Sequence, residues 1–119
     1  MKIKTTYIAC DDTEFDSMKE CRRYETTLYD YFYTIAQDCE FINSKGQQIA
    51  FPIDENDWEG MCEEFDYMYD IAKKIIIKKD LSIALIYYIN ATFGYELPQN
   101  KGTYIYNEGN TRQPWEKVD

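Results

Sequence analysis

The hydrophobic and polar positions of residues 17–35 repeat with the period of an α-helix. Ser17 is followed by Glu20 three positions later, which is a capping box: each side chain bonds a backbone amide that a helix start leaves bare. The apolar residues that follow recur every three or four positions, as expected for one buried stripe. They are Met18, Cys21, Tyr24, Leu28, Tyr31, Phe32 and Ile35. The pattern therefore predicts a first long helix that packs one face on a core.

The same period predicts a second long helix over residues 54–80. Acidic residues crowd the start of this stretch and lysines 73, 74, 78 and 79 crowd its end, which is the order that a helix dipole favours. Its apolar residues trace another continuous stripe: Trp58, Met61, Cys62, Phe65, Met68, Tyr69, Ile75 and Ile76. The acidic part, residues 55–70, is either a solvated helix face or a surface that a basic partner recognises.

Residues 81–97 fit two elements. A third helix, capped by Asp80 and ended by Gly94, is favoured through about residue 91. The run "IALIYYI" would equally suit a buried strand, because a short apolar run cannot be assigned by its period alone.

Alternating and β-branched stretches predict the strands. Residues 2–9 indicate one strand, and residues 39–51 indicate a hairpin that turns at Gly46 and ends at Pro52. After a loop over 98–102, residues 103–115 indicate a second hairpin, with Pro114 keeping its last strand at an edge. The fold class is α+β: a small antiparallel sheet with two long helices, and possibly a third, packed on it.

Length and composition narrow the classes of function. The 119 residues suit a single domain, 1–119. A net charge of −9 disfavours direct binding to nucleic acid or an anionic membrane. Histidine is absent, which removes the usual general base and the commonest metal ligand. We therefore expect no enzyme, no cofactor and no metal site.

The cysteines and the hydropathy indicate a cytosolic protein. Cys10, Cys21, Cys39 and Cys62 are widely spaced, without the close pair of a zinc site, so free and mostly buried thiols are expected. The N-terminus has no signal-peptide run, and no segment is apolar for long enough to span a bilayer.

The C-terminal hairpin offers the first candidate site. If Ile105 faces the core, alternation turns Tyr104 and Tyr106 outward, with Trp115 at the rim. Such rings stack on a base, and the guanidinium of Arg112 would bind its phosphate. The alternative is ordinary cross-strand aromatic pairing with a cation–π contact.

Other polar and aromatic residues extend this candidate site. Asn107 would hydrogen-bond a sugar or base edge. Phe93, beside Gly94, would either stack on a ligand or fill the core. Arg22 and Arg23 would pair with acidic neighbours or, in an oligomer, line an anion pocket between two copies.

The opening "YIACDDTEFDSMKECRRYE" (7–25) resembles that of small phage proteins. In overall layout the chain is similar to the Thoeris anti-defence sponges. This resemblance implies a non-catalytic, symmetric homo-oligomer in the host cytoplasm that sequesters a cyclic ADP-ribose-type nucleotide signal between subunits. The rival hypothesis is an acidic inhibitor that mimics nucleic acid, in the manner of many anti-CRISPR proteins, and blocks a basic nucleic-acid-binding host protein.

Overall fold

The computed structural model describes residues 3–109 and 114–119, and within them it has the predicted α+β class. A two-stranded ribbon near the N-terminus precedes three helices and a four-stranded antiparallel sheet. In chain order the elements are β1 Tyr7–Ile8, β2 Glu14–Phe15, α1 Met18–Asp38, β3 Cys39–Ile42, α2 Trp58–Ile71, β4 Lys74–Ile77, α3 Ile83–Phe93, β5 Gly102–Tyr106 and β6 Trp115–Lys117.

The main sheet has the order β3-β4-β5-β6, and every neighbouring pair is antiparallel. Helix α2 connects β3 to β4, and α3 connects β4 to β5. One ladder row joins Phe41, Ile75 and Tyr104, and all three are buried. Their neighbours Glu40 and Ile105 belong to the other face, so the sheet covers its core with one face only.

The core is an aromatic cluster to which all three helices contribute. The Phe65 ring of α2 lies 5.5 Å from Phe32 of α1 and 5.0 Å from Phe93 of α3, measured between ring centroids. Phe41 of the sheet lies 6.4 Å from the same ring. Edge-on contacts of this kind are favourable beyond the area that they bury. Phe65 is therefore where the helical layer meets the sheet.

The first helix is confirmed, together with its N-terminal cap. The Ser17 side chain accepts a hydrogen bond from the Glu20 amide at 3.3 Å, and α1 begins at the next residue. Leu28, Phe32 and Ile35 are buried, as the stripe predicts. Met18 is 47% exposed, and its place in the buried stripe was wrong, because it is the first residue of the helix and the buried face begins at Cys21.

The second helix is shorter than predicted. It ends at Ile71, and residues 74–77 form the central strand β4 instead of a further helical turn. Burial there alternates with period two: Ile75 and Ile77 face the core while Ile76 faces away. The run of β-branched isoleucines suits a strand that is paired on both sides. Lysines 73, 74, 78 and 79, which were predicted to end the helix, thus lie in β4 or directly beside it.

The helical alternative for residues 81–97 is confirmed, but with a different cap. Ser82 accepts the Leu85 amide at 3.1 Å, and Gly94 ends α3 at φ 75°. Asp80, the expected cap, instead accepts the Lys101 amide at 2.6 Å. It therefore holds the loop before β5 against the end of β4.

Two predicted strands are largely absent from the described residues. The strand expected over 2–9 is reduced to β1, because a turn at Ala9–Asp12 returns the chain at once onto β2. The hairpin over 39–51 has β3 and a turn with Gly46 at φ 77°, but its second arm makes a single bridge, at Gln48. Beyond that bridge Ile49 and Phe51 pack on the core, so no strand continues to Pro52.

The C-terminal hairpin is confirmed as the pair β5 and β6, but its second strand continues to Lys117, beyond the predicted end at residue 115; residues 110–113 lie outside the described residues. Among the residues that the structure describes, no helix is both long and apolar enough to cross a membrane.

Candidate functional site

The two tyrosines of β5 share one face, but it is the face covered by the helices. Tyr104 is 7% exposed, whereas Ile105 between them is 41% exposed. The prediction that Ile105 faces the core was therefore wrong. The cause is the register, because Tyr104 lies opposite the fully buried Ile75 of the neighbouring strand. Its hydroxyl donates to the Asn100 carbonyl at 2.7 Å.

Trp115 is a buried wall of the same region. It is 7% exposed, and its Nε1–H donates to the Tyr69 hydroxyl at 3.2 Å. Its ring lies 5.3 Å from that of Tyr106. Tyr106 is 38% exposed, and Lys73 Nζ lies 5.0 Å from its ring centroid. A lysine thus makes the cation–π contact that had been expected of Arg112, which lies outside the described residues.

The remaining predicted site residues have structural contacts. The Asn107 amide N–H donates to the Pro114 carbonyl at 2.6 Å, and its Nδ2 donates to Glu116 Oε1 at 2.8 Å. Asn107 therefore holds the two strands of the hairpin together. Phe93 packs against Phe65 in the core, so it does not lie beside the C-terminal hairpin residues as a ligand plate.

A cleft of about 610 Å³ opens between the 96–100 segment and β6. We call it the aromatic cleft, because Tyr104 and Trp115 form part of its wall. Its charged lining consists of Glu96, Glu116 and Lys117. Two carboxylates beside one ammonium favour hydrogen-bond donors over phosphate, so this cleft alone is a poor anion site.

A second hollow of about 660 Å³ lies at the adjoining end of the sheet. Lys78 follows β4, Lys101 precedes β5, and Lys117 ends β6. Because neighbouring strands are antiparallel, these three positions meet at the same end of the sheet. We call this the lysine hollow; Gly102, Thr103 and Asp119 complete its polar lining. Lys117 lines both the aromatic cleft and the lysine hollow.

The lysines of the hollow are only partly neutralised. Lys78 Nζ lies 3.2 Å from Glu40 Oε1. Within residues 3–109 and 114–119, neither Lys101 nor Lys117 has a carboxylate within 4.0 Å. Three lysines thus line this hollow with one carboxylate, that of Asp119, in a chain of net charge −9. This arrangement favours an anionic ligand at this end of the sheet.

Gly102 allows the strand ends to approach closely. Its φ is 155°, and a Cβ added there would lie 2.7 Å from Lys117 Cε and 3.1 Å from the Asp119 carbonyl oxygen. The second of these contacts is with backbone, which cannot rotate away. A side chain at this position would require the Lys117 side chain to move and the backbone after β6 to shift by a few tenths of an ångström.

A second titratable cluster ties the N-terminal ribbon to the helices. Tyr24 donates to Asp11 Oδ2 at 2.6 Å, and Tyr88 reaches the same oxygen at 3.4 Å. Burial by itself raises the pKa of the Asp11 carboxyl, but hydrogen bonds from Tyr24, Thr13 and Tyr88 together outweigh it, and the pKa is lowered. These hydrogen bonds tie the ribbon turn to α1 and α3.

The thiols are poor nucleophiles near neutral pH. Burial raises the pKa of Cys10 to about 12 and that of Cys62 to about 11, and nearby carboxylates add to both shifts. A thiol reacts through its thiolate, which is scarce at such values. None of the four cysteines forms a disulfide.

Sequence reasoning missed the lysine hollow. Lys101 was predicted to lie in the loop over residues 98–102 and Lys78 at the end of the second helix, and neither was a candidate site residue. The available signal was a lysine beside each of three apolar runs, "IIIKK", "NKGTYIY" and "WEKV". That signal could be recognised only once residues 74–77 were known to be a strand.

No protein-family model, curated protein or solved structure shows a significant match to this chain. In the part of the chain that the structure describes, no group of three or more cysteine or carboxylate side chains is placed to hold a metal ion.

Proposed function

We propose that this protein is a non-catalytic phage anti-defence protein that binds and sequesters a cyclic ADP-ribose-type nucleotide in the host cytoplasm. The observation that carries the proposal is the meeting of the aromatic cleft and the lysine hollow at Lys117. A nucleotide signal has two parts that would match these cavities, an aromatic base for the cleft and a pair of phosphates for the lysines. The resemblance in layout to anti-defence sponges supplies the biological role.

The two cavities suit the two parts of such a ligand. Each has a volume within the roughly 300–1,000 Å³ range of small-molecule sites. The diphosphate would lie among Lys78, Lys101 and Lys117, where the positive charge is concentrated. The base would lie in the aromatic cleft beside Tyr104 and Trp115, with Glu96 available to accept from its amino group.

Chemistry on the ligand is not part of the proposal. The chain has no histidine, and burial keeps its thiols protonated near neutral pH. A protein that binds the nucleotide tightly without altering it sequesters the signal.

The proposal includes a homo-oligomer. Strand β6 lies at the edge of the four-stranded sheet, next to both cavities. A second copy placed across this edge would close the cavities from solvent and could bring Arg22 or Arg23 from its exposed helix face.

The second candidate function, an acidic inhibitor, is favoured by one observation on α2. Glu59, Glu63, Asp66 and Asp70 recur every three or four residues and are all exposed, so they form one stripe along the helix. Among the described residues none of them has a lysine or arginine within 4.0 Å. Carboxylates about 5–6 Å apart along a helix axis would suit a basic groove that binds phosphates.

Calorimetric titration with cyclic ADP-ribose tests the primary proposal. We expect the wild-type chain to bind, and the double variant Lys101→Ala/Lys117→Ala to bind at least tenfold more weakly, since each charge-assisted bond contributes about 1.5–3 kcal/mol. Lys45→Ala is the matched control, because it removes an exposed lysine from the distant turn at Gly46.

Two outcomes would contradict this proposal. In one, the wild-type chain shows no binding of cyclic ADP-ribose or ADP-ribose at millimolar concentration. In the other, the Lys45→Ala variant loses as much affinity as the double variant, which would indicate a general charge effect. The acidic-inhibitor hypothesis would be supported if the chain bound no nucleotide but did bind a basic protein, with an affinity that falls steeply as the salt concentration is raised.

A further inference from the structure

We propose that the backbone N–H and the hydroxyl of Thr103 form an oxyanion subsite for the phosphate of the ligand, and that the Asp119 carboxylate occupies this subsite as an internal competitor. The ligand class is a phosphate monoester or a diphosphate. The inference rests on the proposed nucleotide-binding function and specifies where in the lysine hollow the phosphate would be held.

Thr103 already binds an anion in the way that a phosphate is bound. Its N–H donates to Asp119 Oδ1 at 2.6 Å, and its Oγ1 donates to Oδ2 of the same carboxylate at 3.0 Å. Two donors thus hold two oxygens of one negatively charged group. A phosphate presents oxygens of the same kind, with more charge and one further acceptor.

The position of Thr103 in the sheet explains why its amide is available. The Thr103 carbonyl accepts the Val118 amide at 2.9 Å, which is the last backbone bond of the β5–β6 pair. Its own N–H bonds a side chain, not the backbone of β6. A side chain can leave without breaking the sheet, so the donor can be transferred to a ligand.

Lys101 and Lys117 are not paired with the Asp119 carboxylate. Lys101 and Lys117 line the same hollow as Asp119, yet neither lies within 4.0 Å of a carboxylate in the described residues. Their ammonium groups therefore remain to bind oxygens that a planar carboxylate does not offer. A phosphate that replaced Asp119 would gain these contacts in addition to those of Thr103.

This arrangement predicts an effect of opposite sign from that of an ordinary ligand-binding residue. Asp119 lines the hollow, but its charge repels an incoming anion and its oxygens compete for Thr103. Removing that charge should strengthen anion binding, whereas removing Lys117 should weaken it. If Asp119 were purely structural, its removal would not strengthen anion binding.

The test is calorimetric titration of wild type, Asp119→Ala and Asp119→Asn with inorganic pyrophosphate at low ionic strength. We expect Asp119→Ala to bind at least about fivefold more tightly than wild type, from removal of one close like charge. Asp119→Asn keeps the shape of the side chain and should show a smaller increase in the same direction. Thr103→Val, which lacks the hydroxyl donor, should bind severalfold more weakly than wild type.

Equal or weaker pyrophosphate binding by both Asp119 variants would overturn the inference. If cyclic ADP-ribose still bound wild type and still depended on Lys101 and Lys117, the proposed function would stand and only the Thr103 subsite would fall. If neither pyrophosphate nor cyclic ADP-ribose bound any of the variants, both proposals would fall together. Circular dichroism melts of each variant establish that it is folded before it is titrated.

Discussion

Aromatic rings and lysines are the two residue classes from which a nucleotide site could be built. The rings cluster around Phe65 in the interior, whereas the lysines lie in the hollow at the end of the sheet. Phe32 and Phe65 are 0% exposed and pack edge-on in the interior. The side chain of Lys78 is 51% exposed at the rim of an open cavity. The rings stabilise the fold, and the lysines remain available to solvent and ligand.

This contrast shows that abundance is a poor guide to the site. The chain has twelve tyrosines and six phenylalanines, and many of these rings pack on one another through the helical layer. The stacked pair Tyr69 and Tyr95, with centroids 4.0 Å apart, is part of that packing. Cations are fewer, and three lysines from separate strand ends meet in one hollow. The packing of the core does not require these three lysines to lie together.

The largest expected effect is the loss of stability in Phe65→Ala. Its ring contacts the two other helices and the sheet, so truncation should lower the free energy of unfolding by about 3–5 kcal/mol. Urea denaturation followed by circular dichroism measures this. Tyr67→Ala is the control on the same helix, since Tyr67 is 61% exposed and should change stability by about 0.5 kcal/mol or less.

Lys101→Ala is the second arm of the same experiment. Its side chain lines an open hollow, so we expect a change within about 0.5 kcal/mol of wild type. A loss comparable to that of Phe65→Ala would break the comparison, because the hollow would then be part of what stabilises the fold.

A smaller effect is expected from Cys39, whose side chain lies on the core face of β3. Burial raises the pKa of this thiol to about 12, against about 8.5 in the unfolded chain. The stability that this group contributes is fully present below the unfolded pKa and is lost as pH rises towards the folded one. The slope is about 1.4 kcal/mol per pH unit for one thiol.

Denaturation of wild type and Cys39→Ala between pH 8.5 and 9.5 checks the assignment. We expect the variant to lose stability with rising pH less steeply, by about 1 kcal/mol per pH unit. Cys10→Ala is a second test of the same effect outside the main core, because the pKa of the half-buried Cys10 is also raised to about 12, so this variant too should lose stability less steeply than wild type. Parallel slopes for wild type and Cys39→Ala would show that the Cys39 side chain is solvated.

Local signals were sufficient for the start of α1 and the end of α3, but not for the start of α3 or the end of α2. Ser17 begins α1, and Gly94, at positive φ, ends α3, because caps depend only on residues next to them. Strand β4 was not predictable in this way. Ile75 and Ile76 continue the helical stripe of α2 equally well, and only pairing with β3 and β5 on both sides decides that they form a strand.

The candidate site was only half predictable for the same reason. Alternation correctly put Tyr104 and Tyr106 on one face, but which face is buried depends on the register with Ile75, a contact distant in sequence. The lysine hollow joins residues from three strand ends. No local pattern brings Lys78, Lys101 and Lys117 together before the strand order is known.

Mapping the binding site by heteronuclear NMR tests the central claim most directly. On titration with cyclic ADP-ribose, the largest shifts are expected at the backbone amides of Lys101, Gly102, Thr103 and Lys117, with a further change at the Trp115 indole. Amides of α2 and of the Phe65 cluster should move little. An unchanged spectrum at millimolar ligand, or shifts concentrated on Glu59–Asp70, would contradict the account.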